Sequence, residues 1–198
     1  MAMPSDKNRI QYIGDSQLVE NLRSRFNGGE RLKFVFFWGH QPSKHGVTAS
    51  CFSQWYGAPF VVDGQLYPTA EHFMMAEKAL LFGDQETRAK VLQATNPGAA
   101  KALGRQVRDF NEALWLEHRF SIVLRANEAK FAQNSELRQF LQKTGDRILV
   151  EASPVDRVWG IGLTQDDEKV NNPNQWEGLN LLGFALMQVR RDAPYVEH

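Results

Sequence analysis

Apolar positions along this chain fall into short unbroken runs and longer runs of helical period. Residues 32–38 (LKFVFFW) and 147–151 (RILVE) are of strand length and rich in aromatic or branched side chains. Between residues 58 and 67, Asp63-Gly64 sits among apolar residues and predicts a tight hairpin. Pro68 and Thr69 then open a helix, with Thr69 as its cap. Residues 84–94 are helical in period, and Asn96-Pro97 starts a short helix that Gly104 ends. The longest helical stretch runs from Asn111 to about Ala132, with Leu114, Phe120, Ile122, Val123, Leu124, Ala126 and Phe131 on its apolar face. Residues 135–143 and 179–190 supply two more helices. Residues 1–31 are polar and end in Asn27-Gly28-Gly29, which reads as a loosely held extension or a capping segment. Residues 162–178 have neither period, and a loop of that length is functional or disordered. Helices outnumber strands and do not alternate with them regularly. The pattern predicts an α+β fold: one compact domain over residues 32–193, mostly helical around a small sheet, followed by a tail at 194–198.

Composition narrows the function. A chain of 198 residues supports one substantial core. Lys+Arg and Asp+Glu both number 23, so no global basic field exists to hold duplex nucleic acid, although a local basic pocket remains compatible. The lone Cys51 excludes an intramolecular disulfide and fits a reducing compartment. The start of the chain lacks the apolar region of a signal peptide, and no run has membrane-spanning length. A cytoplasmic protein without membrane partners is expected. Glycine-rich phosphate loops and the G-x-S-x-G elbow are missing from the sequence. His40, His45, His72 and His118 do not fall at zinc-ligand spacings, so neither a metal nor another cofactor is expected. Cys51 is read as a buried structural thiol. Carboxylates, lysines and aromatic rings are left to carry the chemistry.

The helix after Thr69 carries the clearest candidates. Glu71 and Lys78 are seven residues apart, about 20° short of two turns, so both leave one face. The lysine leans toward the helix N-terminus, so acid and amine can converge on one small ligand. The same spacing also suits a surface helix with a dipole-paired carboxylate and a solvated lysine. Other candidates have equally plain alternatives. Asp156 is a second carboxylate or a turn residue. Trp115 and Trp159 are stacking platforms or core. Arg105 and Arg108 contact phosphate or follow a helix end. Asn180 contacts ribose hydroxyls or caps the last helix. Met74 and Met75 are read as core fillers, and Asp166-Asp167-Glu168 as a solvated face.

Four motifs in order resemble the NADAR family, also called YbiA-like, over about residues 33–191. They are the E-H-x-x-x-x-x-K helix (Glu71, His72, Lys78), the Gly104-Arg105 pair, the D-x-x-W-G-x-G turn (Asp156, Trp159, Gly160, Gly162) and the W-x-G-x-N-x-L-G segment from Trp176 to Gly183. The resemblance implies an α+β domain that hydrolyses N-glycosidic bonds to ribose. The substrates it implies are ADP-ribose attached to guanine, free or in nucleic acid, and the ribosylamino-pyrimidine phosphates of the riboflavin pathway. It maps an imine-forming lysine onto Lys78 and the helix carboxylate onto Glu71. Asp156 is then an orienting or second acid/base group, since two carboxylates can also serve ordinary glycosidase chemistry. Trp38, Trp115 and Trp159 would form aromatic walls, with Ser53, Arg105, Gly160 and Asn180 as further substrate contacts. The N-terminal extension and the 162–178 loop depart from the family pattern. The alternative from another class is a non-catalytic ADP-ribose or NAD sensor using the same pocket, and a purely structural module is a third.

Overall fold

The strand Ile148–Glu151 (β4) separates two hydrophobic clusters, and the rest of the architecture is arranged around it. A computed structural model describes residues 14–192 of the chain. β4 pairs in parallel with Phe34–Phe37 (β1), in the register Phe34↔Ile148 to Phe37↔Glu151. Alternation sends Leu149 into one cluster and Ile148 and Val150 into the other, all at most 3% exposed. Burial on both faces explains the unbroken apolar run. The hairpin forms as Phe60–Val62 (β2) and Gln65–Tyr67 (β3), antiparallel. Asp63 and Gly64 both have positive φ, 51° and 77°, the geometry of the primed turn that the Asp-Gly pair predicts.

Five helices follow the hairpin before β4: Ala70–Leu81, Gln85–Leu92, Pro97–Gly104, Glu112–Gln133 and Ser135–Gln142. A final helix, Leu181–Asp192, follows it. One more helix, Asp15–Asn27, precedes β1, so it is α1 and the others are α2 to α7 in chain order. Thr69, Asp84, Asn96 and Asn111 each accept a backbone N–H with the side chain and cap α2, α3, α4 and α5. Each such cap contributes about 1 kcal/mol. Helix α2 is central: Ala70 to Ala76 and Ala79 are all buried, and α3, α4 and α5 pack around it. This is the α+β, mostly helical single domain that the sequence pattern predicts.

Residues 15–27 form a helix that the polar pattern of the segment did not announce. Its Val19 and Leu22, each 2% exposed, enter the second cluster beside Trp176. Arg119 of α5 donates to Asp15 over 2.7 Å, so a largely buried ion pair also ties α1 down. Residues 1–13 of the expected extension, and the expected tail, lie outside the described residues. The long 162–178 loop is an ordered piece of the same cluster. It carries a short 3-10 turn at Pro173–Gln175, buries Val170 and Trp176, and the Trp176 indole donates to Val170 O.

Candidate active site

Thr69 sets the position of the two helix residues singled out above. Its hydroxyl oxygen accepts the backbone N–H of His72 and lies 2.8 Å from His72 Nδ1. His72 Nε2 lies 3.0 Å from Ala94 O, which calls for an N–H on that nitrogen and leaves Nδ1 as acceptor. Burial keeps this histidine below its usual pKa, so it serves as a neutral bracket at the start of α2. Glu71 is then only 5% exposed and Lys78 half-buried, both opening onto one cavity of about 200 Å³.

The cavity lies among α2, the end of α4, the start of α5 and the turn after β4. Besides Glu71 and Lys78 it is lined by Ser53, Gln54, Trp55, Met74 and Met75, by Lys101, Gly104, Arg105 and Trp115, and by Glu151, Asp156 and Trp159. Lys78 Nζ donates to Gly104 O at 2.8 Å and sits over the rings of Phe110 and Trp115, 4.5 and 5.5 Å from their centroids. Burial alone depresses its pKa, with no carboxylate offsetting the effect. The Glu71 carboxyl is pushed up to about 7, chiefly by burial. Lys101, the Trp55 indole N–H and Arg105 pull it back, while Asp156 adds to the rise. A half-neutral acid therefore faces an amine that loses its proton more readily than a solvated lysine.

The Asp156 carboxylate is held by its own turn. Its Oδ1 accepts the backbone N–H groups of Val158 and Trp159 at 2.9 and 2.7 Å. Gly160 closes this turn against the end of β4, and a Cβ there would lie 2.8 Å from Glu151 O and 3.0 Å from Asp156 O. At the mouth, Lys101 lies over the Trp55 ring, which leans on His40. Arg105 is exposed beside it.

Of the expected site residues, the structure brings Lys78, Glu71, Asp156, Ser53, Arg105, Trp115 and Trp159 to this cavity. Three stand elsewhere. Trp38 follows β1, whose Phe37 points into the core, so strand alternation turns Trp38 outward to 60% exposure. Asn180 is fully buried, donating to Leu149 O and accepting Glu151 N–H, so both ends of its amide are spent on β4. Gly160 acts through close packing and does not line the cavity. Arg108 is also elsewhere, paired with Asp84 and holding that carboxyl far below its usual range. Met74 and Met75 are core residues that also reach the cavity wall. Burial pushes the Cys51 thiol up to about 12, as befits a structural cysteine.

Sequence reasoning assigned no role to Glu151, Lys101, Gln54 and Trp55, all of which line the cavity. Glu151 had a legible signal: an acid directly after Ile148-Leu149-Val150, on a strand buried on both faces, sharing Leu149's side. Also missed was Lys130 of α5, fully buried, whose Nζ donates to Cys51 O and Ser53 O at 2.7 and 2.9 Å. It fixes the turn that delivers Ser53, Gln54 and Trp55. Among the described residues, no cluster of His, Cys, Asp and Glu is arranged to hold a metal ion, and no helix is long and apolar enough to cross a membrane.

Known proteins resemble this chain. The NADAR domain family matches residues 36–193. An N-glycosidase of Acanthamoeba polyphaga mimivirus is 45% identical over 169 residues, 82% of this chain and 98% of its own length. The N-glycosidase YbiA of Escherichia coli is 32% identical over 139 residues, 70% of this chain and 78% of its own. A riboflavin biosynthesis protein of Vibrio vulnificus is 32% identical over 165 residues, 81% of this chain and 40% of its own. The solved NMR structure of E. coli YbiA superposes with a TM-score of 0.66 at 25% identity, covering 99% of this chain and 100% of that one.

Proposed function

The chain belongs to the NADAR domain family, and we propose that it is a hydrolase of N-glycosyl bonds, cleaving ribose C1′ from the nitrogen of a base. The observation that carries this reading is the pairing across one cavity of Lys78, an amine depressed by burial, with Glu71, a carboxyl raised by it. The relatives described above as N-glycosidases support the reaction class.

In the proposed reaction neutral Lys78 attacks C1′, and the base departs with the bonding electrons and takes up a proton. The resulting ammonium on Lys78 passes its proton to Glu71, and the ribose ring opens to an imine. Water adds to that carbon, expelling the lysine and freeing the sugar. The balance is one water consumed, with its hydrogen on the base and its hydroxyl on C1′. Asp156, locked by its two N–H donors, orients the sugar or the attacking water. Trp115 and Trp159 flank the base, while Lys101 and Arg105 meet phosphate at the mouth.

Lys101 and Arg105 suit a phosphorylated ribosyl substrate. The two candidates are ADP-ribose on guanine and a ribosylamino-pyrimidine phosphate, the latter supported by the riboflavin biosynthesis relative. Incubating the protein with ADP-ribosylated guanosine and separately with ribosylamino-pyrimidine phosphates, then weighing the products, tests the proposal. Release of free base from one of them is expected. Tight binding of ADP-ribose without release from either would make the protein a sensor.

A further inference from the structure

Three acidic side chains from different elements meet in this cavity: Glu71 from α2, Glu151 from the end of β4 and Asp156 from the turn beyond. Asp156 has one oxygen, Oδ1, committed to two backbone donors. Glu151 is different. Its Oε2 is sealed from solvent and has no hydrogen-bond partner, while its backbone is clamped by Asn180, which binds both Leu149 O and Glu151 N–H. Asn180 holds this bracket at φ 54°, a left-handed conformation that asparagine tolerates better than most side chains. The clamp and the packing of Gly160 against Glu151 O fix the backbone that carries this carboxyl.

A second buried group in the same wall points to a ligand independently. Asn127 Nδ2 donates to Val123 O and also to Gln54 Oε1, both at 2.8 Å. Val123 O can only accept, so the atom facing it is the amide nitrogen, and Gln54 must turn its oxygen to Asn127. Gln54, 6% exposed, is left with an unpartnered Nε2 in a residue that lines the cavity. Glu151 and Gln54 both line the cavity, and each keeps a side-chain polar atom without a hydrogen-bond partner.

We infer that Glu151 is a second catalytic carboxyl, the general acid that protonates the departing base nitrogen, while Glu71 takes the proton from Lys78. The inference rests on the N-glycosidase reading and adds to it the source of the leaving-group proton. At the start Glu151 is neutral and Glu71 ionised. As the C1′–N bond breaks, its electron pair goes to the base nitrogen, which takes the proton of Glu151. Glu71 then accepts the Lys78 proton. Transfer of one proton from Glu71 to Glu151 restores the pair after hydrolysis, and no outside acid is required. The electrostatics agree. Burial, then Asp156 and Glu71, push Glu151 up to about 8, with Lys101 opposing, and Glu71 is likewise raised to about 7, so both carboxyls titrate far above their ordinary range. Two like carboxyls in one cavity are expected to hold one proton between them.

The test uses the full chain and its Glu151→Gln variant with ADP-ribosylated guanosine and with a ribosylamino-pyrimidine phosphate. Base release by Glu151→Gln should fall roughly 10²- to 10⁴-fold while the variant melts no lower than wild type and still binds ADP-ribose. Wild-type kcat should decline as pH rises through about 8, and the variant's residual rate should lack that decline. A purely structural role would not remove the alkaline limb. Wild-type-like turnover by the variant, or an alkaline limb that survives, overturns the assignment. A readout without turnover separates this inference from the reading beneath it. The infrared band of a neutral carboxylic acid should be present in wild type at pH 7 and lose intensity in Glu151→Gln. If wild type turns over neither substrate, the N-glycosidase reading fails. If the neutral band is unaffected by the substitution, Glu151 is not the proton carrier.

Discussion

Lys78 Nζ donates to the carbonyl oxygen of Gly104, 2.8 Å away, and that oxygen is in reach because residue 104 has no side chain. Gly104 is the last residue of α4, and a Cβ there would collide with Met75 Sδ on α2. The close approach of two helices thus places a free helix-end carbonyl over the amine. It gives Lys78 a hydrogen-bond partner without an ion pair, so the pKa depression by burial is not cancelled.

Gly104→Ala should therefore act at both levels. Overpacking against Met75 should cost about 1–3 kcal/mol of stability by denaturant titration. Displacement of α4 should lower turnover in the same preparation. An unchanged denaturation midpoint would show that the helix contact yields freely.

Lys78→Ala and Lys78→Arg should both lose nearly all turnover while remaining folded, since the side chain is only half-buried. The guanidinium stays protonated and cannot form an imine, so the arginine variant separates charge from nucleophilicity. Substantial activity in Lys78→Arg, measured as base release, would favour a two-carboxylate route instead.

Glu71→Gln should separate chemistry from stability through pH. The folded pKa of Glu71, about 7, lies above its ordinary 4.5. The folded state thus binds this proton more tightly, and stability is lost as pH rises from about 4.5 to about 7. The variant should match wild type in acid and exceed it above pH 7 by on the order of 3 kcal/mol, because glutamine has no proton to lose. At the same time kcat should fall by roughly 10²–10⁴. Parallel melting curves and rates across pH check both halves. A variant that is fully active contradicts the proton-transfer role.

Trp38→Ala should leave kcat and KM unchanged, because Trp38 stands outside the cavity wall. Trp115→Ala should raise KM by roughly tenfold, the equivalent of about 1.4 kcal/mol of lost stacking. Steady-state kinetics on the two variants check the placement. Equal effects would contradict it.

Most of the helix frame was legible because its caps are local: Thr69, Asn96 and Asn111 each satisfy backbone donors within three residues. The Asp63-Gly64 turn was legible for the same reason. Helix α1 was not, since only Val19 and Leu22 of its 13 residues are buried, and cluster partner Trp176 and ion-pair partner Arg119 lie more than 100 residues away. In the site, Glu71 and Lys78 share one helix, so their spacing showed them. Glu151 and Lys101 come from other elements, and only the pairing of β4 with β1 and the packing of α4 on α2 bring them in. Asn180 sits in a suggestive motif, yet what it binds is the β4 backbone. Spacing does not reveal which side of a long-range contact a polar side chain serves.

The covalent role of Lys78 is the central claim, and reductive trapping tests it most directly. Borohydride added during turnover of ADP-ribosylated guanosine or a ribosylamino-pyrimidine phosphate should reduce the imine and fix the sugar to the protein. The intact mass should rise by that of the reduced ribosyl group, and peptide mapping should place it on Lys78. Brisk base release with no adduct, or an adduct on Lys101 instead, would contradict the account.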